Sequence, residues 1–178
     1  HLTKAREVFD IELAAVRAMN DLAETGAATP EVRACVAVNP DSTLVPVTRS
    51  NGVLLADQAV ALREAAAGAD AALVVTPEYN GSIPGVLKNA IDWLSRPYGN
   101  GALNDKPVAV IGAALGQYGG VWAHDETRKS FGIAGPRVVE SIKLSLPSAS
   151  LDGKHPRENA EVAAALREVV EKLAAEVS

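Results

Sequence analysis

The sequence constrains the fold most strongly between residues 71 and 94. Ala71-Ala72-Leu73-Val74-Val75 is a short run of apolar residues. Such a run suits a strand buried on both faces, as in a parallel sheet covered by helices. Thr76-Pro77 ends it, because proline brings no N–H to a ladder. Asn80-Gly81 tolerates positive φ, so the chain can turn sharply there. Ser82 is placed to cap a helix whose first turn accepts Pro84 and which continues through Val86, Leu87, Ala90, Ile91 and Leu94. The unit is strand, tight polar loop, helix. Open parallel sheets bind ligands in such loops, at the carboxyl ends of their strands.

The same alternation recurs on both sides. Residues 11–24 are rich in helix formers and align Ile11, Ala15, Ala18 and Leu22 on one face, with Thr25-Gly26 as the stop. Residues 32–38 read as a strand that holds Cys35 as a buried, inert thiol, and a turn-rich loop follows. Pro46 makes residues 44–51 an edge strand or a loop. A helix is expected over 53–67, stopped by Gly68, and a second buried strand over 107–111. A glycine-rich loop over 112–120 leads into a helix over 121–131, which should stop around Gly132 and Gly135-Pro136. A strand with one less buried face is expected over 138–144. A closing helix over 160–176 turns Val162, Leu166, Val169, Val170 and Leu173 inward. Strands spaced to admit a crossover helix each time predict one α/β domain over residues 1–178, doubly wound around a mostly parallel sheet.

Charge and composition exclude several tasks. A net charge of −5 argues against nucleic acid or an anionic membrane as the main partner. One cysteine leaves no intrachain disulfide and no cysteine cluster for a metal. No apolar run approaches the ~20 residues of a membrane span, and no signal peptide is visible, so the cytoplasm is the expected location. His1 in place of Met points to a trimmed start.

Residues 76–97 carry Pro77-Glu78-Tyr79-Asn80-Gly81-Ser82-Ile83-Pro84, then Lys88-Asn89 and Asp92. This ungapped pattern resembles the second flavin-binding loop of the NADPH-dependent FMN reductases, and the likeness extends with falling strength over residues 68–146. The resemblance implies a flavodoxin-like three-layer sandwich with a five-stranded sheet, bound FMN, and NADPH or NADH as hydride donor. It implies a small-molecule electron acceptor such as a quinone, free flavin, azo compound or chromate, and a homodimer or homotetramer. Pro77, Glu78, Tyr79 and Asn80, in one loop with Gly81 and Ser82, would then line the isoalloxazine. Gly112, Ala113, Leu115 and Gly116 would cover its other edge. No catalytic side chain and no metal is assigned, because in such enzymes the cofactor carries the hydride chemistry.

Several side chains keep two readings. Glu78 either lines the flavin or ties its loop to neighbouring backbone or to another subunit. Lys88, Arg96 and Arg128 either attract NADPH phosphates or serve as solvated charges and salt bridges. Trp93 and Trp122 are expected in the core or an interface, and His124 on the surface or in an interface, with Asp125 at the start of its helix. His124, Asp125 and Glu126 are not read as metal ligands, because consecutive helical residues point in different directions. His155, next to Pro156, is read as loop.

The pattern departs from the family at one place. Relatives open with a strand and a Gly-Ser-Leu-Arg-type loop that cradles the FMN phosphate at a helix N-terminus. Here Leu2 to Asp10 is charged and lacks glycine. Thr48-Arg49-Ser50-Asn51 has suitable chemistry for phosphate but lies one unit late. A flavodoxin-like electron carrier without nicotinamide turnover is the alternative function; the modest charge and 4% aromatic content count against it. A descendant that binds no flavin is the third, and the intact 76–92 stretch counts against that.

Overall fold

The computed structural model describes Cys35–Ala37 and residues 56–177. The expected 11–24 helix, the 44–51 segment and Thr48 to Asn51 lie outside the described residues. In chain order the elements are β1 (Cys35–Ala37), α1 (Ala56–Ala67), β2 (Ala72–Val75), α2 (Gly85–Leu94), β3 (Pro107–Ala114), α3 (Val121–Ala134), β4 (Arg137–Pro147) and α4 (Ala160–Ala175). Two short 3-10 turns, Ser148–Leu151 and Pro156–Glu158, join the last strand to the last helix.

The described strands form one sheet in the order β1-β2-β3-β4, with every pair parallel. Alternate residues of each strand face opposite ways, and this divides the core in two. Leu73, Val75, Ala109, Ile111 and Ala113 face α4 and meet Val162, Leu166, Val169, Val170 and Leu173. Those are the five inward positions expected from periodicity. Ala72, Val74, Val108 and Val110 face the other way, onto Leu62 of α1, Leu87, Ile91 and Leu94 of α2, and Phe131 of α3. With helices on both faces, β2 and β3 up to Ala113 are buried, which is why they read as continuous apolar runs. Burying one such Val or Leu side chain contributes roughly 1.5–3 kcal/mol.

Helix ends follow local chemistry. Gly68 follows α1 and returns its N–H to the Glu64 carbonyl. The last α1 carbonyls, of Ala66 and Ala67, take the Lys106 ammonium at 2.9 and 2.6 Å, a cation at a helix C-terminus. Helix α3 runs past the expected end at Phe131, because Gly132 stays helical. Its stop is Gly135, left-handed at φ 116°, with Pro136 behind it.

Two strands differ from expectation. Strand β3 continues through Gly112, Ala113 and Ala114, where a glycine-rich loop is expected. Strand β4 is longer than 138–144 and does not alternate evenly. Val108 pairs with Val138 but Val110 with Lys143, so β4 spends five residues where β3 spends two. Its buried residues, Val139 and Ile142, are therefore three apart rather than two.

Candidate functional site

Strands β2 and β3 are neighbours, and both candidate segments leave their carboxyl ends side by side. In the first segment, Tyr79 and Ser82 exchange N–H···O=C bonds of 3.0 Å in each direction. The two residues between them are both left-handed, Asn80 at φ 54° and Gly81 at φ 74°. Positive φ at both central positions is the type I′ arrangement that Asn-Gly favours. Tyr79, Asn80 and Gly81 are exposed on this turn, while Pro77 is buried and Glu78 half-buried.

Ser82 does not cap α2 as expected. Its backbone N–H and C=O are both used in closing the turn, and α2 begins only at Gly85 with no side-chain cap. The Ser82 hydroxyl instead donates to the Glu126 carboxylate on α3, at 2.5 Å, and the Ile83 N–H reaches the same oxygen at 3.4 Å. A second carboxylate runs the opposite way. Glu78 accepts the Ala123 N–H at 3.3 Å, one of the donors that the first turn of α3 leaves free. Each segment thus supplies a carboxylate to the backbone or hydroxyl of the other. Of the two readings of Glu78, the tie to neighbouring backbone is present.

His124 is the deepest part of this join. It is fully buried, which corrects the expectation of a surface or interface position. Nε2 lies 3.0 Å from the Thr76 carbonyl, the last residue before the Pro77 loop, and Nδ1 lies 2.6 Å from the Ser145 hydroxyl of β4. A carbonyl only accepts, so Nε2 carries the proton and Nδ1 accepts from Ser145. Burial lowers the imidazole pKa to about 4; the Thr76 bond opposes the shift, Arg128 adds to it and Asp125 opposes it. The ring is neutral at pH 7 and pins the carboxyl ends of β2 and β4 across β3. Gly112 makes the space, since a Cβ there would overlap the Thr76 carbonyl oxygen and come within 2.6 Å of Nε2.

Gly112 and Ala113 are therefore buried strand residues, whereas Leu115 and Gly116 are exposed on the loop that follows. A Cβ at Gly116 would meet nothing within 4 Å, so the backbone there is open to close approach. The N–H groups of Asn80, Gly81 and Gly116 make no backbone hydrogen bond among the described residues. Exposed backbone donors of this kind on two adjacent loops suit the carbonyls and ring nitrogens of a flat heterocycle.

The remaining candidates separate. Arg128 is buried; it donates to the Val110 carbonyl at 3.0 Å and to Asp125 at 2.7 Å, so it is not available to a phosphate. Asp125 is thus the partner of Arg128 in the second turn rather than a residue at the helix start. Lys88 pairs with Asp92 one turn on, at 2.6 Å. Lys88 and Arg96 both border a groove of about 430 Å³ between the later turns of α2 and α3, with Tyr98, Asn104 and Ile133. It extends towards the amino ends of β3 and β4, away from the two loops. His124, Asp125 and Glu126 reach Thr76 and Ser145, Arg128, and Ser82 respectively, three different directions. His155 caps the Pro156–Glu158 turn. Trp93 packs against the α2 side of the core. Trp122 does not: it is 54% exposed, with its ring 5.3 Å from that of Tyr118.

A family model described as NADPH-dependent FMN reductase matches residues 12–150. The chain belongs to this family. The match begins well before residue 68, where the pattern first became legible. Among curated members, a 2-hydroxy-1,4-benzoquinone reductase of a Burkholderia species is 50% identical over 68 residues, 38% of this chain and 37% of that protein. A quinone reductase of Pseudomonas putida is 52% identical over 84 residues, 47% of this chain and 42% of that protein. The chain thus spans less than half the length of these curated family members. Among solved structures, the flavoenzyme FerB, an NAD(P)H:(acceptor) oxidoreductase of Paracoccus denitrificans, aligns with a TM-score of 0.63 and 25% identity, covering 93% of this chain and 88% of FerB. Like it, this family member is an α/β protein with helices packed on a parallel sheet. No helix among its described residues is long and apolar enough to cross a membrane.

Glu126, Tyr118 and His124 were missing from the expected site. His124 left a signal: 124, 127, 128 and 131 recur at helical spacing and are all buried. Read by polarity, His, Thr and Arg hid that stripe.

Proposed function

We propose that this protein is an FMN-dependent NAD(P)H oxidoreductase, a single flavodoxin-like domain whose two cross-tied loops hold the flavin ring. The observation that carries the reading is the pair of open loops at the carboxyl ends of adjacent parallel strands, with N–H groups at Asn80, Gly81 and Gly116 that make no backbone hydrogen bond among the described residues. Family membership and the likeness to FerB support it. FMN, when bound, accepts hydride from the nicotinamide and passes two electrons to an acceptor. The chain's part is to bind and orient. The type I′ turn presents Asn80 and Gly81, Tyr79 offers a ring to pack, and Gly116 admits close approach. Pro77, Glu78 and Ser82, with Gly112, Ala113 and Leu115, complete the set. Glu78 and Glu126 keep the two loops in register, and His124 fixes the strand ends beneath them.

Charge narrows the acceptor. Residues 71–87 and 107–127 contain no Lys or Arg, while Glu78 and Glu126 stand between the loops. A neutral quinone enters such a mouth more readily than chromate, a sulfonated azo dye or the phosphate of free FMN. The Burkholderia and Pseudomonas putida relatives are named for quinone reduction. A fifth strand in the sheet, a homodimer or homotetramer and a cytoplasmic location belong to the same reading, as do Lys88 and Arg96 as the remaining candidates for nicotinamide-nucleotide phosphates.

The test is an anaerobic one. Protein loaded with FMN should lose its flavin absorbance when NADPH or NADH is added and regain it when a quinone follows. A flavin that binds but resists both nucleotides would leave an electron carrier instead.

A further inference from the structure

Three aromatic side chains that other folds would bury stand exposed around this mouth. Tyr79 is 42% exposed on the first loop, Tyr118 56% on the second, and Trp122 54% at the start of α3. The whole chain has only seven aromatic residues, so their collection at one sheet edge is not explained by abundance. Leu115, 53% exposed, adds apolar surface. We propose that the Tyr118–Trp122 pair is the stacking surface for the second substrate and selects neutral, planar aromatic acceptors; this rests on the flavin reading above.

Two features make the pair a built surface. The rings brace one another, tilted by 57° with centroids 5.3 Å apart, so each restricts the other's rotation. Trp122 also sits on a rigid element. It occupies the first turn of α3, and the next residue, Ala123, gives its N–H to Glu78 of the first loop. The platform is thereby tied to the loop that carries Tyr79 and Asn80.

Charge decides between ligands. An aromatic face alone accepts any flat ring, the nicotinamide included. A dinucleotide brings its phosphates as well, and neither loop holds a Lys or Arg; Lys88, in the first turn of α2, is paired with Asp92. A neutral quinone brings no charge to be compensated, so all of it can rest on the platform. Anionic acceptors meet Glu78 and Glu126.

The experiment uses the FMN-loaded protein with 1,4-naphthoquinone, its sulfonated analogue, and the variants Trp122→Ala, Trp122→Phe and Tyr118→Ala. Binding to the oxidised protein without NADPH is read by calorimetry, and KM by steady-state assay. Trp122→Ala should raise both Kd and KM for naphthoquinone about three- to tenfold, as expected for one lost stacking partner. Trp122→Phe should restore most of the loss, Tyr118→Ala should give a smaller one, and the sulfonate should bind more weakly than the neutral quinone throughout. KM for NADPH should not rise in parallel. Unchanged naphthoquinone Kd in Trp122→Ala, with flavin still bleached by NADPH, overturns the proposal and spares the functional reading. A parallel rise in KM for NADPH would give the surface to the nicotinamide, and a changed oligomeric state without loss of quinone binding would give it to a contact between copies. Either overturns it. Wild-type protein that NADPH cannot bleach would bring down the functional reading and the proposal together.

Discussion

Gly112→Ala is expected to destabilise the protein by about 3 kcal/mol or more, the upper range for an overpacked interior. The added methyl would overlap the Thr76 carbonyl oxygen and reach 2.6 Å from His124 Nε2. Neither neighbour can move aside freely. Thr76 is held through its own N–H to Ile111 at 3.0 Å, and the imidazole is bonded on both nitrogens. Separation of β2 from β3, or loss of the His124 bonds, is the only relief. Gly116→Ala is the control, because nothing lies within 4 Å of a Cβ there and the change should be close to neutral for stability. Urea unfolding midpoints of the two variants measure the difference. Equal, small shifts would mean that β3 does not pass so close to Thr76.

The second large effect depends on pH. The His124 pKa falls from 6.5 in a free side chain to about 4 in the fold. Between those values the unfolded chain binds a proton that the folded chain does not. Unfolding is then favoured as pH falls from about 6.5 towards 4, and the loss levels off below 4. A gap of that size corresponds to about 3 kcal/mol. Carboxylates also titrate in this range, so the informative quantity is the difference from His124→Gln. An amide can donate to the Thr76 carbonyl and accept from Ser145, and it does not titrate. Relative to this variant, the wild type should lose stability steadily between pH 6.5 and 4.5. Parallel pH profiles of the two proteins would show that the ring is not the buried, neutral group described.

What the sequence revealed, and what it hid, follows from interaction range. Strand β2, the left-handed Asn80-Gly81 turn and the inward face of α4 are set by residues a few positions apart, and they were legible. The extension of β3 through Gly112 to Ala114 was not. Glycine and alanine there look like a loop, yet they are small because Thr76 and His124 fill the space a side chain would take. The extra residues in β4 leave a similar gap, since the bulge appears only once β3 is beside it. Ser82 reads locally as a helix cap; its partner is Glu126, 44 residues away, and only the tertiary fold makes that bond available. The ten candidate residues came from a family pattern, whereas His124, Glu126 and the Tyr118–Trp122 pair needed the fold.

The central claim is that these two loops hold the flavin ring. Titration of the protein with FMN and, separately, with riboflavin, followed by flavin fluorescence, tests it most directly when repeated on Tyr79→Ala and Asn80→Ala. Saturable binding of both flavins is expected, because the proposed contacts would be to the ring, with a loss of about tenfold or more in at least one variant, equal for the two flavins. Absence of saturable binding, or affinities unchanged in both variants, would contradict it.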